Sequence, residues 1–162
     1  IRKCSKSELL REVYRMVAVG NQEFEKEELF YLLMEQLLSE YAVFEQKKVQ
    51  VPDTERLNAV CSYMKGHYSE NVSLEQLCKI AGVSRYSLIR YFTKYKKITP
   101  YQYLESIRVN RAKLYLEEGT EPAEAAALTG FSDQSHFTNF FKRLFGLTPA
   151  QYQRIFTEKK GY

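Results

Sequence analysis

Apolar residues recur along this chain at three- and four-residue steps, a spacing that places them on one face of a helix and predicts helical segments from end to end. Residues 7–19 and 26–45 are the first two, separated by Gly20-Asn21, and the second carries Leu29, Phe30, Leu33, Leu37 and Tyr41 at that spacing. It also holds Leu32, Met34, Leu38, Val43 and Phe44, more apolar surface than a lone helix keeps from water. It therefore needs a partner: residues 7–19, a second copy of the chain, or a domain beyond this sequence. Gln46 to Pro52 shows no helical period and ends in proline, which marks 47–52 as a linker. Asp53 or Thr54 then caps a helix to about His67, with Leu57, Val60, Cys61 and Met64 on one stripe.

From there the pattern is stated twice. Gly82-Val83-Ser84, Leu88, Phe92 and Thr99-Pro100-Tyr101-Gln102-Tyr103 return as Gly130-Phe131-Ser132, Phe137, Phe141 and Thr148-Pro149-Ala150-Gln151-Tyr152. The glycines lie 48 residues apart and everything from Leu88/Phe137 onward 49, so the second turn holds one extra residue. In each copy a short helix, opened by Ser73 with Gln76 or by Thr120 or Glu121 before Pro122, ends near the glycine, and a second helix follows a serine cap. That is the sequence form of a helix-turn-helix unit. In the helix predicted over 84–96, Leu88, Tyr91, Phe92 and Tyr95 form the inward stripe, and Tyr86, Ile89, Arg90 and Thr93 share another face. In the second copy Phe137, Phe140, Phe141 and Leu144 point inward, and Ser135, Thr138, Asn139 and Lys142 outward. Between the copies a helix from Thr99-Pro100 to Glu118, closed by Gly119, spans roughly 25–30 Å at ~1.5 Å per residue. The fold class is therefore all-α: a helical segment over 1–46, the linker 47–52, and a domain over 53–162. That domain holds two helix-turn-helix units, at about 54–98 and 120–158, joined by the long connecting helix. Two such units in tandem suit two reading heads on duplex DNA, whose groove repeats every ~34 Å.

Composition narrows the function classes. The 162 residues carry a net charge of +4, with 8 Lys/Arg against 9 Asp/Glu in residues 1–52 and 16 against 11 in residues 53–162. The basic excess lies with the repeats, as a nucleic-acid partner requires. Cys4, Cys61 and Cys78 are odd in number and have neither a C-x-x-C pair nor a histidine at metal-ligand spacing, which argues for reduced thiols and a cytoplasmic protein rather than disulfides or zinc. No stretch reaches the ~18 uncharged apolar residues of a membrane span, and the start is not a signal peptide. Opening at Ile1 rather than Met, the chain is read as a piece of something longer. Without paired carboxylates beside His or Cys, a Gly-rich phosphate loop or a metal cluster, no catalytic residue, cofactor or metal is expected, and the protein is read as no enzyme. The non-enzyme rival to DNA binding is a helical protein-interaction module.

The second copy, Gly130-Phe131-Ser132-Asp133-Gln134-Ser135-His136-Phe137 with Phe141-Lys142-Arg143 and Phe145-Gly146-Leu147-Thr148-Pro149-Ala150-Gln151-Tyr152, resembles the signature of the AraC/XylS family of bacterial transcription regulators nearly position for position. The likeness runs from about Thr54 to Phe156. It implies a DNA-binding domain, two turns that differ by one residue, and a helical tail of a sensor or dimerisation domain over residues 1–52. It also implies transcription activation through contact with RNA polymerase. A DNA-repair relative that joins a zinc-cysteine site to such a domain is not matched by the three scattered cysteines. The reading positions carried over by the resemblance are Arg85, Tyr86, Ile89 and Arg90 in the first recognition helix and Gln134, Ser135, Thr138 and Asn139 in the second. Ile89 and Asn139 depart from the polar or charged residues common there, and Lys97 stands where the first copy often has glycine.

Physical chemistry gives each of these two readings. Arg90 can donate twice to guanine O6 and N7, or serve as a solvated charge or helix-surface ion pair. Asn139 and Gln134 match adenine's donor and acceptor, or are simply hydrated. Ile89 can touch a thymine methyl, or pack on the scaffold. Arg85, Lys94, Lys96, Lys97, Lys142 and Arg143 can hold phosphates, as can His136, whose other role is surface or packing. The partners expected are double-stranded DNA, RNA polymerase and a second copy through residues 1–46, with no membrane.

Overall fold

The computed structural model describes residues 23–41 and 54–157. The expected helix over 7–19, the linker 47–52 and the end of the helix over 26–45 lie outside the described residues. Every regular element among those described is helical, in keeping with the all-α reading. They are α1 (Glu23–Tyr41), α2 (Thr54–Gly66), α3 (Leu74–Ala81), α4 (Arg85–Tyr91), α5 (Pro100–Glu118), α6 (Pro122–Leu128), α7 (Gln134–Phe145) and α8 (Pro149–Thr157). They form two compact units: one holds α1, α2 to Ser62 and Val72–Tyr103, the other Tyr63–Asn71 and the chain from Leu104.

In the first unit, Ser73 caps α3 through a reciprocal pair of hydrogen bonds with Gln76, and Gly82 closes it at φ 66. Gly82, Val83 and Ser84 make the turn, and Ser84 caps α4 by accepting from the Ser87 N–H. Leu57, Val60, Leu74, Leu77, Ala81, Leu88, Phe92 and Tyr101 are buried here. The predicted helix 84–96 divides: α4 stops at Tyr91, and Phe92–Lys96 is a π-helical turn. Residues of this wider turn advance less around the axis than in an α-helix. Tyr95 consequently falls short of the inward stripe assigned to it and is 53% exposed.

The partner that α1 needs is this same unit, met by a face the periodicity did not single out. Phe24 is buried with its ring edge-on to Tyr101 at 5.5 Å, and Glu28, also buried, accepts the Tyr101 N–H at 2.7 Å. Phe30, placed on the apolar stripe, is 59% exposed. The helix also begins three residues earlier than the spacing predicts, at Glu23.

Lys97 ends the π turn at φ 63, whereas the matching residue of the second copy is Gly146, at φ 75. A side chain in the left-handed region carries a steric cost of about 1 kcal/mol or more that glycine avoids. Lys97→Gly should therefore raise stability by about 0.5–1 kcal/mol after glycine's extra unfolded-state freedom is subtracted. Thermal unfolding checks this: a rise of a few degrees is expected, and an unchanged or lower Tm would show that the turn holds no strain.

In the second unit, Val109, Ala112 and Leu116 of α5 pack with Ala125, Ala126, Phe131, Phe137, Phe140 and Phe141, and Tyr115, Phe145 and Tyr152 lie at the edge. Gly119 and Glu121-Pro122 end α5 and open α6 as the sequence indicates. The serine cap expected for the second copy is corrected: Asp133, not Ser132, caps α7, accepting the His136 N–H at 2.6 Å. The extra residue of the turn moves the cap on by one. Leu144, expected inward, is 51% exposed, because Phe145 packs on Phe141 at 4.5 Å and takes the core edge instead. Burial, with Glu117 accepting its phenolic proton at 2.5 Å, pushes Tyr152 up to about 12.

Candidate nucleic-acid interface

The reading positions of the second copy lie on α7, whose opposite face is locked in place. Phe137 and Phe141 are fully buried and Phe140 nearly so, which fixes the rotation of the helix about its axis. Gln134, Ser135, Asn139, Lys142 and Arg143 are exposed on it, and Thr138 is half-buried. The Arg143 guanidinium lies over the Phe140 ring at 4.8 Å, a contact that restrains its stem while leaving the head accessible. Gln134 is the first residue of α7, so its amide stands at the positive end of the helix, where anions are favoured.

His136, assigned to phosphate, turns the other way. Its Nε2 stands 2.8 Å from Glu105 Oε1, its side chain is 13% exposed, and Phe131 meets the ring edge-on. A buried carboxylate draws the imidazole toward the core, so the packing role is the one described and His136 leaves the phosphate set.

On the first copy, Arg90 Nη1 donates to the Tyr86 hydroxyl at 2.8 Å, one helical turn back, and both side chains are half-buried. The pair restricts the guanidinium before any partner arrives, which lowers the ordering cost of a contact. Ile89 is 2% exposed. Of the two roles open to it, packing is what the structure describes, and the thymine contact is withdrawn: an apolar side chain beside Leu88 gains more from the core than from water. Lys94, Lys96 and Lys97 are exposed at the helix end, Lys94 beside the Tyr95 ring at 5.3 Å and Lys97 Nζ on the Lys94 carbonyl at 2.8 Å.

Arg85 is held by groups that sequence reasoning passed over. Its Nη1 is 2.6 Å from Glu27 Oε1 of α1, and its Nη2 is 3.6 Å from Glu75 Oε2 of α3. A hydrogen bond to Tyr31, followed by the Glu27 charge, raises its pKa above the usual guanidinium value. Glu75 is itself held below the ordinary carboxylate range, chiefly by its hydrogen bond with Lys79. Arg108 and Glu105, both buried on α5, were missed as well. No local motif announces them, since both sit on a helix amid Gln102, Ser106, Asn110 and Arg111, with polar and apolar residues on every side.

Among the described residues no group of His, Cys, Asp and Glu is placed to hold a metal, and no helix is long and apolar enough to cross a membrane. Burial pushes the Cys78 thiol up to about 11, the opposite of an activated nucleophile.

Two helix-turn-helix units, each presenting a polar recognition-helix face over an apolar core, define a DNA-binding domain of the tandem type. A helix-turn-helix domain family matches residues 77–155. The uncharacterized HTH-type transcriptional regulator YbfI of Bacillus subtilis is 47% identical over 128 residues, which cover 78% of this chain and 46% of that protein. The bifunctional transcriptional activator/DNA repair enzyme AdaA of Bacillus subtilis is 30% identical over 114 residues, 70% of this chain and 54% of its own. The solved DNA-binding domain of the transcriptional factor AdpA, in complex with a target DNA, superposes with a TM-score of 0.59 at 27% identity, covering 64% of this chain and 95% of that one. The chain carries a sequence-specific DNA-binding domain of the AraC/XylS family. It spans about half the length of the curated relatives it matches.

Proposed function

We propose that the protein is a bacterial transcription regulator that binds duplex DNA sequence-specifically, laying α4 and α7 into successive major-groove segments. The observation that carries this reading is the division of α7: Phe137, Phe140 and Phe141 are buried, while Gln134, Ser135, Asn139 and Lys142 are exposed. A helix fixed in rotation with amides and a hydroxyl outward meets base edges, and lysine and arginine at its end meet phosphates. In this reading Arg85, Tyr86, Arg90, Gln134, Ser135, Thr138 and Asn139 face bases, and Lys94, Lys97, Lys142 and Arg143 face the backbone, which Arg85, at the start of its helix, also reaches. The protein works in the cytoplasm as an activator that touches RNA polymerase, and it performs no catalysis. A second copy pairs through residues 1–46, a role supported by the exposed ring of Phe30.

Selection from random duplex oligonucleotides, followed by footprinting, tests the reading directly. On the selected site, Arg90→Ala should cost about 1–3 kcal/mol and relax the choice at one base pair, and Lys142→Ala should weaken all sequences alike. Equal losses on selected and random DNA for Arg90→Ala would remove it from the base-reading set. A protein-interaction module would show none of the steep salt dependence, about −0.9 per phosphate neutralised, that DNA binding carries.

A further inference from the structure

The anchoring of α1 has a functional consequence through Glu27. Glu28 is buried and spends its carboxylate on the Tyr101 N–H at the start of α5, and Phe24, one turn earlier, packs on the Tyr101 ring. These two contacts fix the register of α1 on the first unit. They bring the next face residue, Glu27, to 2.6 Å from Arg85, while Glu75 adds a second carboxylate at 3.6 Å. Arg85 is the first residue of α4 and one of the positions by which the first copy would read DNA. A carboxylate there presents to the guanidinium the same charge and the same oxygen acceptors as a phosphate.

Resting on the DNA-binding reading above, we infer that Glu27 is an internal competitor for DNA: docked α1 occupies Arg85 in place of a phosphate and holds down the affinity of the first reading head. Two effects act together. The ion pair must be given up before Arg85 engages DNA, and an uncompensated Glu27 would then repel the backbone. The second copy has an uncharged residue, Gln134, at the matching start of α7, so the restraint falls on one head alone. Lifting α1 away, by whatever the rest of the protein senses, is then a way to raise affinity without altering either recognition helix.

The test uses the full chain and a duplex obtained by selection, with affinity followed across salt concentration for wild type, Glu27→Gln, Arg85→Ala and the double variant. Glu27→Gln should bind about five- to ten-fold tighter near 0.1 M salt, with a salt slope steeper by about 0.9, as one more phosphate contact requires. In the Arg85→Ala background the same substitution should give no comparable gain, because the competitor then has nothing to compete for. Equal or weaker binding by Glu27→Gln, an unchanged slope, or a gain that survives Arg85→Ala would overturn the inference while leaving DNA binding intact. Failure of wild type and every variant to bind any selected duplex would instead bring down the DNA-binding reading, and this inference with it.

Discussion

Gly130→Ala is expected to destabilise the second unit by about 3–5 kcal/mol, enough to populate its unfolded state at ordinary temperature. Two costs add. Gly130 sits at φ 82, where a Cβ meets its own backbone. That Cβ would also lie 2.8 Å from the Ser69 carbonyl oxygen and 2.9 Å from that of Tyr68. Both are main-chain atoms of the loop after α2 and cannot rotate aside. The first copy supplies the control. Gly82 has a similar φ of 66, but the atom a Cβ would meet is the Arg56 guanidinium nitrogen, at the far end of a flexible side chain. Gly82→Ala should therefore cost about 1–2 kcal/mol, the backbone component with little else. Urea unfolding of the two variants separates the contributions. Equal losses would mean that the turn conformation alone decides, and that the approach of Tyr68 and Ser69 to Gly130 carries no energy.

Much of this architecture was legible in the sequence wherever a local chemical signal marks an element end. Ser73 with Gln76, Thr99 before Pro100, Gly119 and Glu121 before Pro122 each fix a boundary by satisfying or removing backbone groups within four residues, and the structure uses each of them. The rotation of α7 was legible too, because three phenylalanines on one side leave the helix a single way to face. What periodicity could not supply was any effect that depends on partners far along the chain or on a departure from 3.6 residues per turn. Tyr95 misses the core because the π turn rotates it away, and Leu144 because Phe145 fills the edge first. His136 was drawn inward by Glu105, and Arg85 was taken up by Glu27, partners 31 and 58 residues distant. Apart from Lys94 and Lys97, which lie in the π turn and at its end, the candidate residues thus sit on α4 and α7, where the periodicity places them. In engagement the site was misread wherever a distant carboxylate intervened.

Other long-range contacts, from Arg108, Arg111 and Gly130, converge on the loop after α2, and the second large effect is expected there, at Arg108. Its side chain is 2% exposed, with Nε donating to the Tyr68 carbonyl at 2.7 Å and Nη2 to the Glu70 carbonyl at 3.0 Å. The Arg111 guanidinium lies 5.6 Å from the Tyr68 ring centre on the same loop. Arg108 therefore fastens the strip of backbone against which Gly130 stands. Hydrogen bonds from a charged donor are worth about 1.5–3 kcal/mol each, so Arg108→Met, which keeps the apolar stem and loses both, should cost about 3 kcal/mol. Arg108→Lys should recover only part of it, because one ammonium cannot reproduce a planar fork that spans two carbonyls. A double-mutant cycle gives the sharper test. If the loop is the shared element, Arg108→Met and Gly130→Ala together should cost less than the sum of the two, since a loop already released can step back from the new Cβ. Strict additivity, or a loss under 1 kcal/mol for Arg108→Met alone, would show that the loop is held by other means. The second recognition helix would then owe its placement to the phenylalanine core without this fastening.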